Sequence, residues 1–157
     1  MNFDAFFSED LVFFLNASSQ EDVFKQMFHR MYEQGYVKES YLKALSEREK
    51  VYPTGIQTEH IGVAIPHTDS IHVNKESIGV AVLEKPVSFI HMGMEEHTVE
   101  AEIIFMLAIQ KPERQLGVLQ VITGLIQNKV LLQSIQMAEN EAAVIAIIQE
   151  YSQKLNV

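Results

Sequence analysis

The sequence predicts a mixed α/β fold in which a central mixed β-sheet lies between helical layers. Apolar runs of strand length alternate along the chain with longer segments whose apolar residues recur at helical spacing. The chain has 157 residues, of which 47% are hydrophobic, and this is enough for one sizeable core. No Pro/Gly/Ser-rich linker and no repeat divides the sequence, so we expect one domain over residues 1–157.

The first third of the chain predicts one strand followed by two helices. The apolar run at residues 11–15 has the length of a strand. Ser18 and Ser19 both offer an N-cap for a helix with Val, Phe and Met residues on one face, and Gly35 ends that helix. We expect a second helix over about residues 40–50, before a turn at residues 52–55.

The middle of the chain predicts most of the sheet. Residues 63–65, 78–83 and 101–109 are almost continuously apolar, which is typical of strands that are buried on both faces. The last of these runs is the most hydrophobic, and we expect it to be central. A shorter strand is expected at residues 87–90, followed by a polar turn at residues 92–97.

The last third predicts three helices. Pro112 is placed at the first turn of a helix, where its missing N–H removes no hydrogen bond. A short helix is expected at residues 130–135, and Asn140 offers an N-cap for a final helix. Helices before and after the strand runs indicate helical layers on both faces of the sheet.

Composition excludes several classes of function. The sequence contains no cysteine, which excludes disulfides, thiolate nucleophiles and cysteine metal sites and is compatible with a reducing cytosol. We find no leader segment and no run long enough to span a bilayer, so we expect a cytoplasmic protein. The net charge of −9 argues against nucleic acid as a partner and favours a protein with a basic patch.

His67 is the candidate catalytic residue. Pro66 ends the strand at residues 63–65, because proline has no N–H for a sheet ladder, and His67 follows at once. The imidazole is therefore expected at the rim of the sheet on a stiff backbone. With an ordinary pKa of about 6.5, a histidine keeps a lone pair near pH 7 and can act as a nucleophile.

The run from Arg48-Glu49 through Pro53-Thr54-Gly55 to Ile65-Pro66-His67 resembles the enzyme IIA domains of the bacterial sugar phosphotransferase system, fructose/mannitol class. The resemblance implies that His67 accepts a phosphoryl group from the histidine phosphocarrier protein HPr. It also implies that His67 passes this group to a cysteine of enzyme IIB, which serves the membrane component IIC. It further implies that Arg48 faces the histidine, and that neither a metal nor a cofactor is required.

Further residues are candidates for supporting roles. The hydroxyls of Thr54 and Thr58 could donate to phosphate, while His60 and His72 could stand beside the site or orient its loop. Mannitol- and fructose-type members usually carry a second histidine early in the helix after the central strand. Gln115 occupies the matching place here, which together with His72 makes the chain more similar to the galactitol-like members.

Two other functions are compatible with the sequence. The same fold and phosphohistidine could serve regulation, as in nitrogen-type IIA proteins, instead of sugar or polyol uptake. A metal-binding module could use His60, His67 and His72, although their spacing lacks a helical i, i+4 pair. For the phosphocarrier we expect an apolar rim around His67, formed by Ile61, Ile71 and neighbours, for docking of partner proteins.

Overall fold

A computed structural model describes residues 2–154 as five strands, five α-helices and three short 3₁₀ turns. The strands are β1 (Val12–Leu15), β2 (Gly55–Gln57), β3 (Gly62–Ala64), β4 (Ser77–His91) and β5 (Met94–Ala108). The helices are α1 (Gln20–Glu33), α2 (Tyr41–Val51), α3 (Pro112–Ile126), α4 (Lys129–Met137) and α5 (Glu141–Lys154). The 3₁₀ turns cover Phe3–Phe6, Glu9–Leu11 and Ser70–His72.

The sheet is mixed and is organised around the long β4–β5 hairpin. These two strands pair antiparallel, while β1 runs parallel to β4 and β3 runs parallel to β5. The short strand β2 pairs antiparallel with β3 and meets the end of β4 where Gly55 lies opposite His91. The segment that follows β3 therefore lies beside β5, in the middle of the sheet.

The core lies on both faces of this sheet, as the apolar runs predict. Along β5, Ile103, Phe105 and Leu107 belong to the cluster that contacts α3, α4 and α5. The alternating residues Ile104 and Met106 belong to the cluster that contacts α1 and α2. Because successive side chains of a strand point to opposite faces, the second half of β5, residues 103–108, is buried by helices on both sides. The predicted mixed sheet between helical layers is confirmed.

The predicted helix boundaries have the expected capping contacts. The Ser19 hydroxyl accepts a hydrogen bond from the Asp22 N–H at 3.1 Å, and Gly35 adopts a φ of 82° just after α1. Pro112 occupies the start of α3. The Asn140 side chain accepts from the Ala143 N–H at 2.8 Å, at the start of α5.

The hairpin is longer than the sequence predicts. Residues 77–91 form one strand, in which a register shift between Val82 and Val87 accommodates Pro86, instead of two separate strands. The polar turn predicted at residues 92–97 is shorter in the structure and covers only residues 92–93, since β5 already begins at Met94. The short strand β2 was not predicted at all. Among residues 2–154, none of the helices combines the length and the apolar character that crossing a bilayer requires.

Candidate functional site

The backbone around His67 is fixed by the neighbouring strand. Strand β3 ends at Ala64, and His67 forms an isolated parallel bridge with Leu107 near the end of β5. The Leu107 N–H donates to the Pro66 carbonyl at 3.0 Å. The half-buried imidazole therefore lies at the sheet rim, where the strand-ending proline places it.

One ring nitrogen of His67 is engaged by the chain itself. Its Nδ1 lies 2.8 Å from the carbonyl oxygen of Ile65. Because a carbonyl oxygen can only accept, Nδ1 carries the ring proton in the neutral imidazole, and the lone pair is on Nε2. Burial lowers the pKa of His67 below its usual value, and the positive charge of Arg48 lowers it further, against opposing effects of the Ile65 bond and of Asp69. The neutral form, which is the nucleophilic one, is thus favoured at pH 7.

Arg48 lies in the last turn of α2 and faces the same space as His67. One of its terminal nitrogens, Nη1, is 3.6 Å from a carboxylate oxygen of Asp69, and its guanidinium lies over the Tyr52 ring at 5.1 Å from the centroid. Its Nε is buried and has no hydrogen-bond partner within residues 2–154. Arg48 therefore has a long ion pair at Nη1 and an N–H donor at Nε that has no partner among residues 2–154.

A cleft of about 670 Å³ joins these two side chains. Apolar groups and two acidic side chains of the β4–β5 hairpin form the rest of its wall. Its lining residues are Arg48, Val51, Tyr52, Pro53, Thr54, His67, Met92, Gly93, Glu95, Glu96 and Leu119. Of the predicted site residues, the structure thus brings His67, Arg48 and Thr54 together at one cleft.

The Thr54 hydroxyl is occupied by a buried carboxylate. It lies 2.8 and 3.1 Å from the two carboxylate oxygens of Glu49, and the Thr54 N–H donates to Glu49 at 2.7 Å. Burial raises the pKa of Glu49 to about 7, although its hydrogen bonds with Thr54 act in the opposite direction. A hydrogen bond from the Thr54 hydroxyl to phosphate stays a prediction. It would require the hydroxyl to leave Glu49.

Thr58, His60 and His72 have other contacts. The Thr58 hydroxyl donates to the Ile61 carbonyl at 2.6 Å and closes the turn between β2 and β3. The Nε2 of His60 lies 2.9 Å from the Gln136 side-chain oxygen on α4, and the Nδ1 of His72 lies 2.7 Å from the Ser40 hydroxyl. None of the three lines the cleft. Their supporting roles stay predictions without a contact to His67.

Gln115 approaches the site from α3 through the loop that follows His67. Its side-chain N–H donates to the Thr68 carbonyl at 3.3 Å, a long hydrogen bond. The side chain does not line the cleft, so it contacts the residue after His67 and supports the loop from outside.

The prediction of an apolar rim around His67 is wrong for Ile61 and stays a prediction for Ile71, which does not line the cleft. Ile71 is exposed, whereas Ile61 is packed in the core beside α4. The metal-binding alternative has no structural support, since residues 2–154 contain no group of three or more His, Cys, Asp or Glu side chains placed to hold a metal ion.

Three groups of the site are not predicted from the sequence. Glu49, Asp69 and Tyr52 contact Thr54 or Arg48, and none was assigned a role of its own. Of these, the short spacing from Glu49 to Thr54 across the turn is the one signal that could indicate a contact, because Thr side chains commonly form hydrogen bonds within turns.

Comparison with known protein families identifies the family of this chain. The family described as phosphoenolpyruvate-dependent sugar phosphotransferase system, EIIA 2, matches residues 5–151. The chain belongs to this family. Its general role is accordingly that of a phosphocarrier of the sugar phosphotransferase system.

Individual relatives extend this result. The chain is 26% identical over 118 residues to the galactitol-specific EIIA component of Escherichia coli K12. This match covers 74% of this chain and 77% of that protein. Two solved structures share the fold. Enzyme IIA of the Escherichia coli mannitol system, in complex with phosphorylated enzyme IIB, matches with a TM-score of 0.74 at 18% identity, covering 92% of this chain and 99% of that one. The nitrogen regulatory protein IIA-Ntr of Neisseria meningitidis matches with a TM-score of 0.71 at 18% identity, covering 92% and 97%.

Proposed function

We propose that this protein accepts a phosphoryl group from phospho-HPr on Nε2 of His67 and passes it to an enzyme IIB during uptake of a sugar or polyol. The observation that carries the proposal is the 2.8 Å contact between His67 Nδ1 and the Ile65 carbonyl. It leaves Nε2 as the ring nitrogen with a lone pair, in a half-buried imidazole that lines a cleft together with Arg48.

The proposed transfer consists of two nucleophilic displacements at phosphorus. In the first, the His67 Nε2 lone pair forms the new N–P bond, and the electron pair of the broken N–P bond stays on the imidazole of HPr. In the second, a thiolate of enzyme IIB attacks the phosphorus, and the electron pair returns to His67 Nε2. The proton on Nδ1 stays in the hydrogen bond with Ile65 throughout, so His67 keeps one orientation in both steps.

Arg48 supplies positive charge to the phosphoryl oxygens. Its ion pair with Asp69 is long at 3.6 Å, and its side chain is 35% exposed. A doubly charged phosphoryl group competes well with a single exposed carboxylate, because charge-assisted bonds from a guanidinium to phosphate can be bidentate. Arg48 can therefore turn from Asp69 to the phosphoryl group without breaking a buried interaction.

The acceptor is inferred to be an enzyme IIB of the galactitol-like group. The relative with 26% identity is described as galactitol-specific, and Gln115 and His72 follow the pattern that led to the same expectation from the sequence. That enzyme IIB is the acceptor is supported by the mannitol-system IIA, which forms a complex with phosphorylated IIB. The net charge of −9 and the acidic cleft residues Glu95 and Glu96 suit a donor and an acceptor with basic docking faces.

A reconstituted relay tests the proposal. Labelled phosphoenolpyruvate, enzyme I and HPr are incubated with the purified protein, followed by IIB proteins of the galactitol, mannitol and fructose classes. We expect one acid-labile, base-stable label per chain and its fastest transfer to the galactitol-type IIB. A protein that takes no label from phospho-HPr contradicts the phosphocarrier function.

The same experiment separates transport from regulation. Uptake of label with no onward transfer to any of the IIB proteins would favour the regulatory alternative. Fast transfer only to a mannitol- or fructose-type IIB would overturn the galactitol-like assignment and leave the carrier chemistry intact.

A further inference from the structure

Glu49 is a buried carboxylate that the proposed transfer does not use. It is only 5% exposed, yet it follows directly after Arg48 in the last turn of α2. Both of its oxygens are directed at Thr54, five residues later, through the backbone N–H and the hydroxyl. These hydrogen bonds satisfy both oxygens of the buried carboxylate within the protein.

The Glu49–Thr54 contact closes a short segment that contains Tyr52, the residue whose ring packs against Arg48. Tyr52, whose ring lies against the guanidinium, is inside the segment from Glu49 to Thr54. Its N–H also donates to the Arg48 carbonyl at 2.7 Å and ends α2. The contact therefore fixes both the helix end and the aromatic ring on which Arg48 rests.

Thr54 also connects this segment with His67. The Thr54 carbonyl accepts a hydrogen bond from the Ile65 N–H at 3.2 Å. The Ile65 carbonyl in turn accepts from His67 Nδ1 at 2.8 Å. Hydrogen bonds thus run without a gap from Glu49 through Thr54 and Ile65 to the imidazole, and every one of them involves a buried or half-buried group.

We propose that Glu49 is a positioning residue which, through Thr54, sets the geometry of both Arg48 and His67. Its effect on phosphoryl transfer rests on the proposed function, whereas its effect on the His67 ring does not. Since the carboxylate contacts Thr54 and no substrate, its importance is in hydrogen bonding and not in charge. The charged groups next to it, Arg48 and Lys50, are its neighbours on α2.

Neutral and ionised Glu49 can both maintain the contact. When ionised, the carboxylate accepts from the Thr54 N–H and from the hydroxyl. When protonated, one oxygen still accepts from the N–H while the acid O–H donates to the Thr54 hydroxyl oxygen. A glutamine can form the same pair of bonds with its carbonyl and its amide N–H. Glu49→Gln is therefore expected to preserve the geometry, and Glu49→Leu, of similar size, is expected to lose it.

Four variants test the proposal in two matched pairs. Glu49→Gln is compared with Glu49→Leu, and Thr54→Ser, which keeps the hydroxyl, is compared with Thr54→Val, which removes it at nearly constant shape. The first readout is the ¹⁵N NMR spectrum of the His67 ring, which reports the fraction of the neutral imidazole that carries its proton on Nδ1. The second is the rate of phosphoryl acceptance from phospho-HPr.

We expect Glu49→Gln to retain the Nδ1–H form and a transfer rate within about twofold of that of the natural protein, and we expect Thr54→Ser to retain the Nδ1–H form. Glu49→Leu and Thr54→Val should lose part of the Nδ1–H form. They should also slow transfer by roughly tenfold to a hundredfold, because a misplacement of up to about 1 Å near reacting groups has effects of this size. Wild-type ring signals and rates in folded Glu49→Leu would overturn the proposal.

The second pair covers the case in which Glu49→Leu does not fold. Thr54→Val indistinguishable from Thr54→Ser in both readouts would then overturn the proposal. If the natural protein takes no phosphate from HPr, the proposed function fails, but the NMR comparison still decides whether Glu49 orients His67.

Discussion

The Nδ1 atom of His67 lies 2.8 Å from the carbonyl oxygen of Ile65, two residues earlier in the chain. The contact is local, and it depends on the extended backbone that Pro66 imposes on its neighbour. This contact orients the ring without a partner and leaves the lone pair of the neutral imidazole on Nε2. Together with the lowered pKa of His67, this arrangement keeps a nucleophile available at neutral pH.

The substitution His67→Ala is expected to abolish phosphate uptake from phospho-HPr. The ring is half-buried at a strand end, so its loss should leave the fold intact by circular dichroism and thermal unfolding. His29→Ala is a suitable control, since His29 is exposed on α1 and contacts Glu33. If the His67→Ala protein takes up as much labelled phosphate as the natural protein, His67 is not the phosphorylated residue.

The substitution Arg48→Lys is expected to slow transfer far more than it changes stability. Lysine keeps the charge but loses the planar fork that can hold two phosphoryl oxygens. Loss of one preorganised donor raises the barrier by about 2.7–4 kcal/mol, which corresponds to a rate loss on the order of a hundredfold or more. Rapid-quench measurement of uptake from phospho-HPr gives this rate.

Arg30→Lys provides a matched control for the Arg48 experiment. Arg30 also lies over an aromatic ring, that of Phe13, at 4.5 Å from the centroid, and it donates to the Asp10 carbonyl away from the cleft. The same substitution there should leave the transfer rate unchanged. Equal rates for Arg48→Lys, Arg30→Lys and the natural protein would show that Arg48 takes no part in transfer.

The substitution Gln115→Ala is expected to have a milder effect than either change above. Its 3.3 Å bond to the Thr68 carbonyl is a single neutral hydrogen bond, worth about 0.5–1.5 kcal/mol net. The measurement is again the transfer rate, for which we expect a decrease of at most about tenfold. A loss as deep as that of His67→Ala would mean that the amide contacts the phosphoryl group directly.

The sequence predicts those parts of the fold in which local chemistry and burial agree. Ser19, Gly35 and Asn140 end or begin helices because of their own side-chain or backbone preferences, and all three lie at the predicted boundaries. The sequence predicts residues 94–97 as part of a turn, but they belong to β5, which pairs with β4 across the hairpin. Such pairing requires no apolar side chains, so the hydrophobic pattern gives no sign of it.

The candidate site likewise contains residues that the sequence predicts and residues that it does not. His67 is identifiable because Pro66 ends its strand, and Arg48 because of the family resemblance. Glu49 lies in the charged run from Glu47 to Lys50, which is typical of a solvated helix face. Its burial depends on how the turn to Thr54 folds back, and spacing alone does not determine this geometry. Ile61 was expected in an apolar rim for the same reason, since nothing in its neighbours indicates that it packs beside α4.

The stability of the protein should decrease with pH in a way that depends on Glu49. Its pKa is raised from 4.5 to about 7 in the folded state by burial, so the folded protein holds this proton more tightly than the unfolded chain does. The contribution is complete below about pH 4.5 and is lost as the pH rises to about 7. Its size is on the order of 3 kcal/mol, since one pKa unit corresponds to about 1.4 kcal/mol.

Glu49→Gln isolates this contribution, because an amide does not titrate. Urea unfolding of both proteins at several pH values from 4.5 to 8 gives the difference in the free energy of unfolding. We expect this difference to shift in favour of Glu49→Gln as the pH rises, and to be constant above about pH 8. A difference that stays constant over the whole range would show that Glu49 titrates normally in the folded protein.

Exposed apolar side chains near the cleft are expected to form the docking surface for phospho-HPr. Leu116 is 66% exposed on α3, next to the residue that contacts the loop after His67, and Ile71 is exposed in that loop's 3₁₀ turn. Leu116→Ser removes apolar surface with little loss of core packing, so it should raise the KM for phospho-HPr and leave the maximal rate nearly unchanged. We expect the loss of this apolar contact to cost about 1 kcal/mol of binding free energy, which predicts an increase of about fivefold.

Met137→Ser provides the matched control for this surface. Met137 is 81% exposed at the end of α4 and does not line the cleft, so the same kind of change should leave both kinetic constants unaltered. If HPr and enzyme IIB use the same face in turn, Leu116→Ser should also raise the KM for transfer to IIB, since both partners must reach Nε2 of one ring. An effect on one partner alone would mean that the two proteins approach His67 from different sides of the cleft.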